Sequence, residues 1–290
     1  MKQFTNILRT LAATALCSIG LALAQPDLFV AAQTGTVEDV RAALDAGADV
    51  NARNAEGKTA LMLAASANDA TVVDTLLDAG ADVYLRDDAN MTALALAAAN
   101  NPSQAVLQEL IDARANVYER YEDNRTALIY AAERNDNPAT LQMLVAAGAD
   151  VEARNNLGWT ALMCSADLNP AMTETLVGAG ADVNAFNLEG QTPLMLAVGG
   201  SHAAEGDLAS VSSLLEAGAD VNARDIYGKT VLMYAAERNS NPAVIEALLG
   251  AGANTSLRDN EDRTAYDYAV ENAALQGTAV YERLGTAGSE

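Results

Sequence analysis

Only one histidine occurs in the chain, so any imidazole chemistry must run through His202. It stands in the stretch VGGSHAAEGDLAS, residues 198–210, with Glu205 and Asp207 near it in sequence. Zinc and copper sites gather several imidazole or thiolate ligands at once. One histidine with no cysteine beside it falls short of that set. A Ser-His-Asp arrangement would depend on the same ring, carried on a loop that cannot hold it in place. The expectation is a solvated loop.

Acidic clusters raise the question of calcium. Asp87-Asp88, Glu122-Asp123-Asn124 and Asp259-Asn260-Glu261-Asp262 supply the right atoms. A calcium loop needs several oxygens converging from a fixed spacing, whereas these clusters recur at regular distances, as turn residues do. The glycines fall at helix ends and turns, not in a phosphate-binding loop. These readings predict no enzyme, no metal and no cofactor.

The stretch NNLGWTALMCSA, residues 155–166, places the only tryptophan, Trp159, close to Cys164. Its neighbours show it to be one tooth of a comb. The phrase TALMLAA at Thr59 returns in variant form at Thr92, Thr126, Thr160, Thr192, Thr230 and Thr264, at spacings of 33, 34, 34, 32, 38 and 34 residues. A second phrase, AGADVN, begins at Ala46 and recurs in step at Ala79, Ala113, Ala147, Ala179, Ala217 and Ala251. Two markers sharing one period signal a solenoid.

The elements of one unit follow from local chemistry. Thr59 can cap a helix in which Leu61, Ala64 and Ala65 share a face. A second helix turns Val72, Val73, Leu76 and Leu77 inward, and Gly80 can end it in the left-handed conformation. The Asn-Pro pairs at 137–138, 169–170 and 241–242 place proline in the first turn of the second helix. Arg114 stands where other units have glycine and must take the left-handed conformation at a cost of about 1 kcal/mol. The 38-residue spacing assigns residues 198–210 to a lengthened loop between two helices.

Helix, turn, helix and hairpin loop at this period resembles the ankyrin repeat, with its T-P-L-H-x-A signature. Thr192-Pro193-Leu194 keeps the first three letters. The histidine is absent throughout, replaced by residues such as Met62, Met163 and Met195. The resemblance spans nearly all of the chain after its first segment and implies an all-α solenoid, of the kind found in bacterial secreted or periplasmic ankyrin proteins. The chain divides into a signal peptide at 1–24, an N-terminal capping repeat at 27–54, six internal repeats over 55–259, and a C-terminal capping repeat with a tail at 260–290.

The signal peptide is read from Lys2 and Arg9, an apolar run from Leu11 to Leu23, and the small-x-small ending Ala22-Leu23-Ala24. That run is too short to span a bilayer, which takes about 20 residues. Leu16 is too large to precede a lipidated Cys17. Cleavage after Ala24 would place the chain in the periplasm or outside the cell without a membrane anchor. It would leave Cys164 with no partner for an intrachain disulfide.

The net charge of −22 argues against nucleic acid and favours a basic protein partner. Nothing in the pattern requires an oligomer. The family resemblance implies partner binding at the hairpin tips and the exposed end of each first helix. Early units place Glu56, Lys58, Asp88 and Met91 there. Later ones place Leu157, Trp159, Leu188, Ile226 and Tyr227, with Phe186 close by, a run of large apolar groups facing solvent. Phe186 also interrupts a series of arginines at 53, 86, 120, 154, 224 and 258. That series is either a ladder for an acidic ligand or a set of hairpin supports. The expected function is protein binding without catalysis; the alternative is an inhibitor or immunity-like protein that blocks a secreted enzyme.

Overall fold

The computed structural model describes residues 27–199 and 208–286. Among these residues the regular structure is entirely helical, in eight pairs. The first four are α1 (Leu28–Thr34) with α2 (Val37–Asp45), α3 (Ala60–Ala67) with α4 (Ala70–Asp78), α5 (Ala93–Asn100) with α6 (Gln104–Asp112), and α7 (Ala127–Arg134) with α8 (Pro138–Ala146). The others are α9 (Ala161–Leu168) with α10 (Thr173–Gly178), α11 (Pro193–Gly199) with α12 (Leu208–Glu216), α13 (Val231–Arg238) with α14 (Pro242–Gly250), and α15 (Ala265–Glu271) with α16 (Ala279–Thr286). First helices stack on first helices and second on second, so the chain forms one solenoid with a continuous core.

Each threonine of the recurrent phrase starts its helix as expected. The hydroxyl of Thr59 accepts from the Met62 amide at 3.3 Å, and Thr126 and Thr160 do the same for Ile129 and Met163. Such a cap is worth about 1 kcal/mol. The alanine pairs at 64–65, 97–98, 131–132 and 235–236 are fully buried, and their small side chains let neighbouring first helices approach closely. Second helices end in a paired-bond motif: the Gly80 amide donates to the Leu77 carbonyl and the Ala81 amide to Leu76. The same pair forms at Arg114, whose φ is 65°: its amide donates to the Ile111 carbonyl and the Ala115 amide to Leu110.

Two local readings need correction. Pro138 and Pro242 do open their helices, but Pro170 opens a single 3-10 turn, Pro170–Met172. Asn169 caps nothing there; its side-chain amide reaches back to the carbonyl of Asn135 at 2.8 Å. The segment 198–210 is not wholly loop, because Val198 and Gly199 close α11 and residues 208–210 open α12. His202, Glu205 and Asp207 lie outside the described residues, as do the leader at 1–24 and the last four residues of the tail.

A lattice of asparagines fastens unit to unit. The Nδ2 of Asn135 donates to the carbonyls of Ala98 and Asn101 at 2.9 and 3.0 Å. Asn68, Asn101 and Asn272 repeat this on their own predecessors. Each thereby satisfies carbonyls left open where the preceding first helix ends.

Candidate protein-binding face

The hairpin at Asn155–Trp159 shows how a tip is made. Its ends are joined by the Asn155 amide donating to the Trp159 carbonyl. The Asn155 side chain then accepts from the amides of Leu157 and Trp159 at 2.9 and 3.0 Å. Asn54, Asn187, Asp225 and Asp259 do the same in their own hairpins. Gly158 has φ of 77°, and a Cβ there would lie 3.0 Å from the Leu188 amide nitrogen. Glycine is needed here both for its backbone conformation and for the closeness of the next tip.

Adjacent tips are joined through their backbones. The Leu188 amide donates to the Leu157 carbonyl at 3.1 Å, Ile226 to Glu189 at 3.0 Å, and Asn260 to Tyr227 at 2.9 Å. These bonds hold Leu157, Phe186, Leu188, Ile226 and Tyr227 on consecutive hairpins, each between 56% and 72% exposed. Large apolar side chains held out in a row make these tips a candidate recognition surface. Tyr84 and Tyr118 are also well exposed, but they sit before their hairpins, on the AGADVN phrase.

Two residues expected on this surface lie elsewhere. Met91 is only 8% exposed. Trp159, at the equivalent position just before the capping threonine, is half-buried against the core. This position lies along the inner helices instead of at the tip. In other units it carries a cation over a tyrosine: Lys229 Nζ is 4.3 Å from the Tyr268 ring centre, and the Arg125 guanidinium is 5.8 Å from that of Tyr130. Lys229 also pairs with Glu237 at 3.1 Å, and Arg125 with Glu133 at 3.2 Å.

The arginine series is occupied within the fold. Arg154 donates to the Gly158 carbonyl of its own hairpin and to the Phe186 carbonyl of the next unit. Arg120 does likewise to Asn124 and Arg154, Arg258 holds the Asp262 carbonyl, and Arg224 holds that of Arg258. Arg53 pairs with Asp88 and Arg86 with Glu119. These are hairpin supports that also bridge neighbouring units.

The acidic clusters are similarly engaged. Asp87 accepts from the Met91 amide at 2.8 Å, and Asp259 from the Glu261 and Arg263 amides. Glu122–Asn124 form a 3-10 turn in which Asp123 and Asn124 take φ of 54° and 61°. Tyr121 there replaces the usual Asn or Asp, and its hydroxyl bonds that of Thr92 at 2.8 Å.

Among the described residues no group of three or more histidine, cysteine or acidic side chains is placed to hold a metal ion. Cys164 is 1% exposed, and burial pushes its thiol well above its ordinary pKa, so it stays an inert neutral packing group. No described helix is long and apolar enough to cross a membrane.

A family model described as ankyrin repeats (3 copies) matches residues 23–87, 83–155, 128–225 and 201–280. Among solved structures the fold is similar to that in the crystal structure of the human ASB11 ankyrin repeat domain. The TM-score is 0.68 at 21% identity, covering 77% of this chain and 96% of that one. No curated protein matches the chain.

Proposed function

The chain belongs to the ankyrin repeat family, and on that premise we propose that it is a non-catalytic module that binds a basic protein through the tips of its central hairpins. Repeats of this family are generally protein-interaction modules, but fold alone does not choose a partner. The observation that carries the reading is the row Leu157, Phe186, Leu188, Ile226 and Tyr227, held out on successive tips that are bonded backbone to backbone. A flexible surface would lose conformational freedom on binding, whereas this one is already in register. The net charge of −22 supports a basic partner, since it draws such a partner in and repels acidic ones. The polar and apolar pattern of residues 1–24 supports export to the periplasm or beyond the cell, where the module acts as a monomer.

The test is capture from envelope and secreted fractions of the source cell, with wild type compared against a Leu157→Ser, Leu188→Ser, Ile226→Ser variant. All three side chains are exposed, so the variant should unfold at nearly the same temperature. A basic protein retained by wild type and lost by the variant is the expected result. Identical captures would overturn the reading, and loss of both capture and folding would overturn the separation of patch from core.

A further inference from the structure

The arginine supports are interrupted at one hairpin. Arg154 joins its own Gly158 carbonyl to the carbonyl of the aligned residue one unit on, Phe186. Moving one unit along, Phe186 itself stands in the arginine position, and the corresponding carbonyls belong to Gly190 and Arg224. Neither receives a hydrogen bond from any described residue. Beside them a cavity of about 530 Å³ opens between the two hairpins, lined by Phe186, Gly190, Ala223, Asp220 and Ile226 among others. One carboxylate oxygen of Asp220 holds the Asn222 amide, which leaves the other available. The Phe186 ring is mostly exposed, with the Arg154 guanidinium 6.0 Å from its centre.

We propose that this gap is a receptor for a single arginine side chain supplied by the protein partner. The inference rests on the protein-binding reading above and narrows it to one contact. A guanidinium entering the cavity would donate to the Gly190 and Arg224 carbonyls, as Arg154 does one unit earlier. It would face Asp220 with its remaining N–H groups and lie against the Phe186 ring. Lysine offers a compact charge without the planar fork that spans two carbonyls, so the site selects arginine. Its lining residues Phe186 and Ile226 belong to the apolar row, so a partner seated on that row would shield the contact from water.

The test uses the whole ¹⁵N-labelled protein titrated with N-acetyl-arginine methylamide, and separately with the lysine analogue. Amide shifts at Gly190, Gln191, Asp225 and Ile226 are expected on millimolar arginine analogue, with about fivefold weaker response to lysine. Phe186→Arg fills the gap from within and should abolish the response; Leu188→Ser, which leaves the gap intact, should retain it. Equal responses to both analogues, or a response that survives Phe186→Arg, would overturn the proposal. The capture experiment separates the two levels. Patch-dependent capture with no analogue binding removes the arginine receptor and leaves the protein-binding reading. Analogue binding with patch-independent capture does the reverse.

Discussion

The hydroxyl of Tyr268 donates to Oδ2 of Asp259 at 2.6 Å, and the same oxygen takes the Nε–H of Arg263 at 3.2 Å. Tyr234 and Asp225 repeat the tyrosine contact one unit earlier, also at 2.6 Å. Burial alone would raise the Asp259 pKa. The Tyr268 hydroxyl, the Arg263 and Glu261 amides and the Arg263 charge outweigh it, and the carboxyl is held below its ordinary value. Tyr268 moves the other way, raised by burial and by the carboxylate it serves, so it remains a donor.

Removing that donor should therefore weaken the last units. Tyr268→Phe is expected to cost about 1.5–3 kcal/mol, because a charged acceptor loses a bond at a nearly buried side chain. A group whose folded pKa is lowered contributes stability that is complete above its unfolded value, about 3.9, and disappears as pH falls through the folded value. The urea midpoint of wild type should accordingly drop on acidification through pH 4 and below, and that of Tyr268→Phe should drop less. Equal acid sensitivity in the two proteins would contradict the assignment.

Asn135 and Asn239 occupy the same place in different units and should respond differently to truncation. Asn135 gives two bonds to the preceding unit and accepts one from Asn137. Asn239 accepts from Asn241, but its buried Nδ2 finds no acceptor among the described residues. Asn135→Ala is expected to cost about 2–3 kcal/mol, leaving two buried carbonyls unpaired, and Asn239→Ala distinctly less. Chemical denaturation of the two variants side by side decides this.

Arg114 provides a case where mutation should stabilise. With φ of 65° it occupies the helix-ending position that Gly80 occupies at 88°, its amide donating to Ile111 as that of Gly80 does to Leu77. Arg114→Gly should raise stability by about 0.5–1 kcal/mol by releasing the left-handed strain. Gly80→Arg tests the same term in reverse, since a Cβ at Gly80 meets nothing within 4 Å. Both should appear as opposite shifts in the thermal midpoint.

Much of this was legible in the sequence, for local reasons. A threonine before an apolar run and a glycine after one act through bonds three to six residues long, so the caps and helix ends followed from neighbours. Leu157, Leu188, Ile226 and Tyr227 follow an Asn or Asp that folds the chain into a turn, and their exposure followed too. Met91 and Trp159 did not, because their position points along inner helices that only stacking creates. The arginine series showed its register but not its purpose, which depends on carbonyls 32–34 residues away. The asparagines at 68, 101, 135, 169 and 239 keep the same period as the threonines, and Asn272 falls one residue short of it, a signal that would have revealed the lattice between units.

The tip-to-tip backbone bond that links most neighbouring hairpins is missing between Asp87–Met91 and Tyr121–Arg125. At that seam the work passes to side chains: Tyr121 to Thr92, Arg86 to Glu119, and the Tyr84 hydroxyl to the Arg114 carbonyl. A backbone bond survives almost any substitution, while each of these side-chain fastenings can be erased by changing a single codon. The stack thus carries one joint that mutation can loosen or tighten without rewriting a repeat, and descendants of this chain can adjust its stiffness there first.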